Sequence, residues 1–173
     1  MKKLLCILLV ILLLPVGGAL ASYDLTGYSD QQLADLASAI AAEQLARSRT
    51  SGQYLLQGTY DKATIGLKDI KVQQSGNDRL LILVFDFSHS SDDAEMFSFS
   101  ASIKVFQDGI ELDNAYFYDH PSSGNGLKQI KKGAVLEVTE GYKLTSGSPV
   151  EIEMNEIFNF GGRKPDAITL NLP

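Results

Sequence analysis

Residues 79–88 read Arg-Leu-Leu-Ile-Leu-Val-Phe-Asp-Phe-Ser, the most apolar run in the chain after its opening segment. Leu81, Leu83, Phe85 and Phe87 fall on one face and Leu80, Ile82 and Val84 on the other, as in a central β-strand covered on both faces over part of its length. Upstream, Ser75-Gly76-Asn77-Asp78 is a turn. Before it, residues 64–72 put Ile65 and Leu67 on one face, then Ile70 and Val72; the change of phase at Lys68-Asp69 predicts a β-bulge. Downstream, residues 96–106 alternate, with Phe97, Phe99, Ala101, Ile103 and Val105 inward and Ser98, Ser100, Ser102 and Lys104 outward. Asp108-Gly109 then closes a hairpin into residues 110–112.

The pattern continues to the end of the chain. Residues 115–118 form a short aromatic strand, residues 121–126 a loop, Lys132-Gly133 a turn and residues 134–144 a further strand. Ser146-Gly147-Ser148-Pro149 turns the chain into a strand carrying Val150, Ile152 and Met154. Phe158 and Phe160 read as buried near a bend at Gly161-Gly162, and Ile168, Leu170 and Leu172 make the last strand. Seven or eight short strands with no intervening helix define a mainly β domain, an antiparallel β-sandwich over residues 53–173.

The first 52 residues differ. Lys2 and Lys3 precede an unbroken apolar run over residues 4–14, Pro15-Val16-Gly17-Gly18 breaks it, and Ala19-Leu20-Ala21 supplies a small-residue cleavage site: a signal peptide over residues 1–21, cut before Ser22. An uncleaved anchor is the alternative, but the proline and glycines make a poor second half of a span. Cys6 lies near the start of the apolar run, not at its end, so the chain is not expected to be a lipoprotein. The residues up to Leu172-Pro173 hold no hydrophobic tail, so a carboxy-terminal sorting signal is not expected. Ser29 with Gln32 has the form of a capping box, and Leu33, Leu36, Ala37, Ile40 and Ala41 recur at helical spacing, predicting an amphipathic helix over residues 30–47. Residues 47–52 form a polar linker.

The chain carries 15 basic and 21 acidic residues; without Lys2 and Lys3 the net charge is −8. Such a surface repels phosphate backbones and anionic lipid, which argues against nucleic acid as a partner and against stable membrane insertion after cleavage. With residues 1–21 removed no cysteine remains, so stability rests on packing rather than disulfides.

From Gly58 to Pro173 the order of features resembles an uncharacterised family of exported immunoglobulin-like domains common in Gram-positive bacteria. The stretches that carry the resemblance are residues 81–88 (Leu-Ile-Leu-Val-Phe-Asp-Phe-Ser), 106–112 (Phe-Gln-Asp-Gly-Ile-Glu-Leu), 130–134 (Ile-Lys-Lys-Gly-Ala) and 148–153 (Ser-Pro-Val-Glu-Ile-Glu). The resemblance implies an immunoglobulin-like β-sandwich and export, with no activity or ligand attached. Many members look like lipoproteins, a point on which this chain departs from them.

The residues offer little catalytic chemistry. A nucleophilic hydrolase needs a serine or cysteine with a base in reach, and the sequence has no Gly-x-Ser-x-Gly and two histidines, His89 and His120, each beside a turn and expected to be solvated. Two separated histidines do not make a zinc site. Asp92, Asp93 and Glu95 share one loop, and Asp108, Glu111, Asp113 and Asp119 could gather at one end of a sandwich; these oxygen ligands suit calcium, although no calcium-loop spacing is present. Tyr116, Phe117 and Tyr118 offer rings for a sugar or a protein partner, with alternation placing one or two of them in the core. The expected function is therefore a secreted or envelope-associated, non-enzymatic module without a resident cofactor, binding a protein or glycan at the cell surface. The alternative is a calcium-dependent or purely structural envelope protein using its acidic loops.

Overall fold

The computed structural model describes residues 27–29, 31–33, 35, 36, 39, 40, 43, 52–117, 120–157 and 162–172. The expected signal peptide, Cys6, the body of the linker, Tyr118, Asp119, Phe158 and Phe160 lie outside the described residues. The capping box forms as written: the Ser29 N–H donates to Gln32 Oε1 at 2.9 Å and the Gln32 N–H to Ser29 Oγ at 3.2 Å. The described residues from Gln31 to Glu43 are helical. Leu36 on this helix is exposed, and none of Leu33, Leu36 and Ile40 joins the hydrophobic core.

Ten strands follow: β1 (Leu56–Tyr60), β2 (Ala63–Ser75), β3 (Asp78–His89), β4 (Glu95–Met96), β5 (Ser102–Gln107), β6 (Ile110–Glu111), β7 (Gln129–Ile130), β8 (Val135–Leu144), β9 (Val150–Asn155) and β10 (Asp166–Leu170). Sheet one has the order β1-β2-β3-β8, sheet two the order β10-β9-β5-β6, and β4 with β7 makes a separate ribbon. All strand pairs are antiparallel. The chain crosses between sheets from β3 to β5 and again from β8 to β9, while β3 neighbours β8 and β5 neighbours β9. This interlocked Greek-key connection is that of immunoglobulin-like sandwiches.

The core lies between the two inner faces. From sheet one come Ile65, Leu67, Leu81, Leu83, Phe85, Phe87, Val138 and Tyr142; from sheet two Val105, Val150, Ile152 and Met154, all essentially inaccessible to solvent. The bulge falls where the change of phase predicts it: Leu67 pairs with Phe85 and Asp69 with Val84, leaving Lys68 as the extra residue. One inserted residue returns Ile70 to the inner face, which a regular strand would have turned outward. On the outer face of β3, Leu80, Ile82 and Val84 are also buried, as expected for a central strand.

Four expectations are corrected. The strand expected over residues 96–106 is broken by a helical turn, Phe97–Ser100, before β5 begins. Ser100 Oγ donates to the Met96 carbonyl at 2.7 Å and Ser98 Oγ to the Gly126 carbonyl at 2.9 Å, so serine hydroxyls take up backbone groups that a strand ladder would have used. Phe97 still enters the core against Phe85 and Phe87, but Phe99 is turned outward and 68% exposed. Residues 115–117 do not form a strand; they run along β8 with a single bridge from Asn114 to Tyr142. His89 is not solvated. As the last residue of β3 it continues the inward row of odd-numbered positions, stacks on Phe87 and donates from Nε2 to the Ile130 carbonyl at 2.9 Å. His120, likewise, is half-buried and hydrogen-bonded.

The two long sides of the sandwich differ. On one, Tyr60 donates its hydroxyl to Asp166 at 2.9 Å, and Arg163 bridges Asp166 and the Thr59 carbonyl while its guanidinium lies 5.3 Å from the Tyr60 ring centre, so β1 is clasped to β10. On the other, β8 and β6 are the sheet edges, and the connection from β6 to β7 passes over β8.

Candidate functional site: a groove on the free edge of β8

The segment after β6 first pairs with β8: the Lys143 N–H donates to the Asp113 carbonyl at 3.0 Å and the Ala115 N–H to the Gly141 carbonyl at 2.8 Å. It then leaves the edge and returns at Ser123, which bridges Thr139 in parallel, while Asn125 Nδ2 donates to the Glu137 carbonyl at 2.8 Å. Between departure and return lies a groove of about 560 Å³, its floor formed by residues 138–141 and its rim by Tyr116, Phe117 and Leu127. That volume falls within the range of about 300–1,000 Å³ usual for small-ligand sites.

Gly141 lets the segment come this close. A Cβ there would meet Phe117 Cδ1 at 2.5 Å and the Ala115 carbonyl oxygen at 2.7 Å. Tyr116 is 92% exposed and Leu127 70% exposed, so an aromatic ring and an aliphatic side chain stand in water at the rim. Two polar groups are unusual. Thr139 is buried on the outer face of β8, opposite Val84, and its Oγ1 has no hydrogen-bond partner among the described residues. Glu140 takes the Tyr142 hydroxyl on Oε2 at 2.8 Å; burial raises its pKa above the ordinary carboxylate value, and that hydrogen bond only partly offsets the rise. The Tyr142 hydroxyl is held far above its usual pKa by burial and by the Glu140 charge.

The outward face of β8 next to the groove carries a polar row. His120 Nδ1 lies 2.8 Å from Ser122 Oγ, which donates to Glu137 Oε1 at 3.1 Å; Lys68 Nζ pairs with Glu137 at 3.0 Å and Asp86 at 3.4 Å; Tyr54 donates to Asp86 at 3.2 Å. The hydrogen bond from Lys68 lowers the Glu137 pKa, and the same bond raises that of Lys68. Serine, histidine and carboxylate meet here, but not in the order of a nucleophile relay. The carboxylate receives the serine proton directly instead of orienting the imidazole, and Ser122 is 3% exposed. The row fastens the returning loop to sheet one.

Of the aromatic run, the structure places Tyr116 and Phe117 at the groove. The acids expected to share a cation do not come together: among the described residues no three His, Cys, Asp or Glu side chains are grouped as a metal would need. Asp92 is exposed and paired with Lys132 at 2.8 Å, Glu111 with Lys104 at 3.0 Å, and Asp108 accepts from Ser146 Oγ at 2.8 Å in the hairpin turn. These three acids are held by local partners instead of by one another. Glu140 and Thr139 were not singled out from sequence. The alternation Val138, Glu140, Tyr142 on an otherwise apolar inner face is the signal that points to Glu140.

Fold and connectivity define an immunoglobulin-like β-sandwich domain. The chain belongs to the family described as Domain of unknown function (DUF5067), which matches residues 38–156, from within the helical segment through β9. No curated protein matches the sequence. Among solved structures, a candidate lipoprotein of Staphylococcus aureus is similar at a TM-score of 0.52 and 14% identity, over 64% of this chain and 84% of that one. A candidate lipoprotein of Bacillus subtilis gives a TM-score of 0.48 at 14% identity, over 68% of this chain and 38% of that one. A functionally unknown protein of Listeria monocytogenes gives 0.45 at 11% identity, over 68% and 80%. No helix among the described residues is long and apolar enough to cross a membrane.

Proposed function

We propose that this chain is an exported, cell-envelope-associated and non-enzymatic binding module that takes its ligand in the groove beside β8. The observation that carries the reading is the groove itself: a concavity of about 560 Å³ against β8 with the exposed side chains of Tyr116 and Leu127 at its rim. Concave sites of this size that combine apolar and aromatic lining with a few polar groups are where small ligands bind. Envelope association is supported by the leader-like residues 1–21 and by the candidate lipoproteins of similar fold. Co-sedimentation of the purified protein with intact Gram-positive cells and with isolated walls tests it. Binding is expected to saturate and to fall about tenfold in Tyr116→Ala, since an exposed aromatic anchor carries much of a small interface. Binding that does not saturate, or that ignores the substitution, overturns the reading.

A further inference from the structure

We infer that the groove receives a cationic group, a primary ammonium or guanidinium, held by the Glu140 carboxylate with the exposed ring of Tyr116 beside it. This rests on the groove being the ligand site. Among the described residues that line it, Glu140 is the one acid, and there is no lysine or arginine. The surface acids Asp78, Asp92, Glu111 and Glu137 each have a lysine within ion-pair distance, whereas Glu140, drawn into the edge of the sandwich, has the Tyr142 hydroxyl and no base. A partly buried carboxylate without a cation is a site with its counter-charge missing. Burial also makes the charged form unfavourable until such a charge arrives.

Two further features agree. Tyr116, 92% exposed, presents the kind of aromatic face to which cations are drawn. The excess of acidic over basic residues favours the approach of a cation and repels an anion. A neutral saccharide would also stack on the ring, but it would not need Glu140 to be ionised.

That difference sets the test. The purified protein is titrated with trilysine and, separately, with the uncharged trimer of N-acetylglucosamine, following the amide resonances of residues 139–141. Trilysine is expected to shift them, with its Kd raised about tenfold in Glu140→Gln and unchanged in Glu151→Gln, an exposed acid on β9. Glu140→Gln keeps an acceptor for the Tyr142 hydroxyl, so the fold is retained. Equal weakening by both substitutions, or by neither, reduces trilysine binding to general surface charge and overturns the inference. Shifts with the neutral trimer alone also overturn it while leaving the groove as a ligand site. Silence with both probes ends both readings.

Discussion

Burial at Glu140 works against the folded state, and its direction with pH follows from the shift. The folded pKa lies above the ordinary glutamate value because the ionised form is desolvated. The folded protein therefore binds this proton more tightly than the unfolded chain, and the stability gained is full at low pH and lost as pH rises through the folded pKa. Glu140→Gln, which removes the charge and keeps the hydrogen bond, is expected to raise the melting temperature at neutral pH by a few degrees, at about 2–4 °C per kcal/mol for a chain of this size. The advantage should shrink as pH is lowered toward 4; an equal gain at both pH values would mean that charge is not the cause. Gln107 shows what single residues hide from sequence. It stands in a readable Gln-Asp-Gly hairpin, where Asp108 and Gly109 both take the positive φ of a type I′ turn. Its side chain, 1% exposed, accepts from the Thr145 and Ser146 N–H groups and donates to the Ser146 and Ser148 carbonyls, pinning the turn that carries the chain from sheet one to sheet two. Those partners lie 38 to 41 positions away, beyond any local pattern.

Among the elements, the strands with inner and outer faces were legible, including the bulge in β2, because burial imposes a period of two on their side chains. β1 was not. Leu56–Tyr60 is short and contains Gly58, and its hairpin turns on Asp61-Lys62 with Asp61 at φ 52°, a pair that carries no glycine or asparagine signal. The break at residues 97–100 was hidden for a different reason: serines at alternate positions satisfy the strand pattern, while the Ser100 hydroxyl closes a helical turn and the Ser98 hydroxyl reaches the Gly126 carbonyl. The groove was half legible, since the aromatic run draws attention to its rim, but its floor depends on which edge β8 leaves open. Gly141 tests that construction. Gly141→Ala places a methyl group against the Ala115 carbonyl, which backbone cannot easily vacate. We expect a loss of about 1–3 kcal/mol in chemical denaturation and faster hydrogen exchange at the Ala115 amide. Unchanged exchange there would show that the segment can shift without releasing β8.

For the whole molecule, net charge and connectivity set the terms. Among the described residues no three acids are gathered as an ion would need, so millimolar calcium is expected to leave the thermal transition within about one degree of its metal-free position. A rise of several degrees would instead show that the acids rearrange around the ion and would restore the calcium-dependent reading of Asp92, Asp93 and Glu95.

The clasp between β1 and β10 links positions 106 residues apart, Tyr60 and Asp166. A chain that emerges N-terminus first, from a ribosome or through an export channel, displays β1 and the apolar face of β3 long before β10 arrives. Closure of that flank cannot precede the appearance of Asp166, so the clasp on Tyr60 waits for nearly the whole chain. Until then the unfinished edge is exposed to proteases and to strand exchange with its neighbours, and the interval between synthesis and closure is the period in which such a chain depends on an escort.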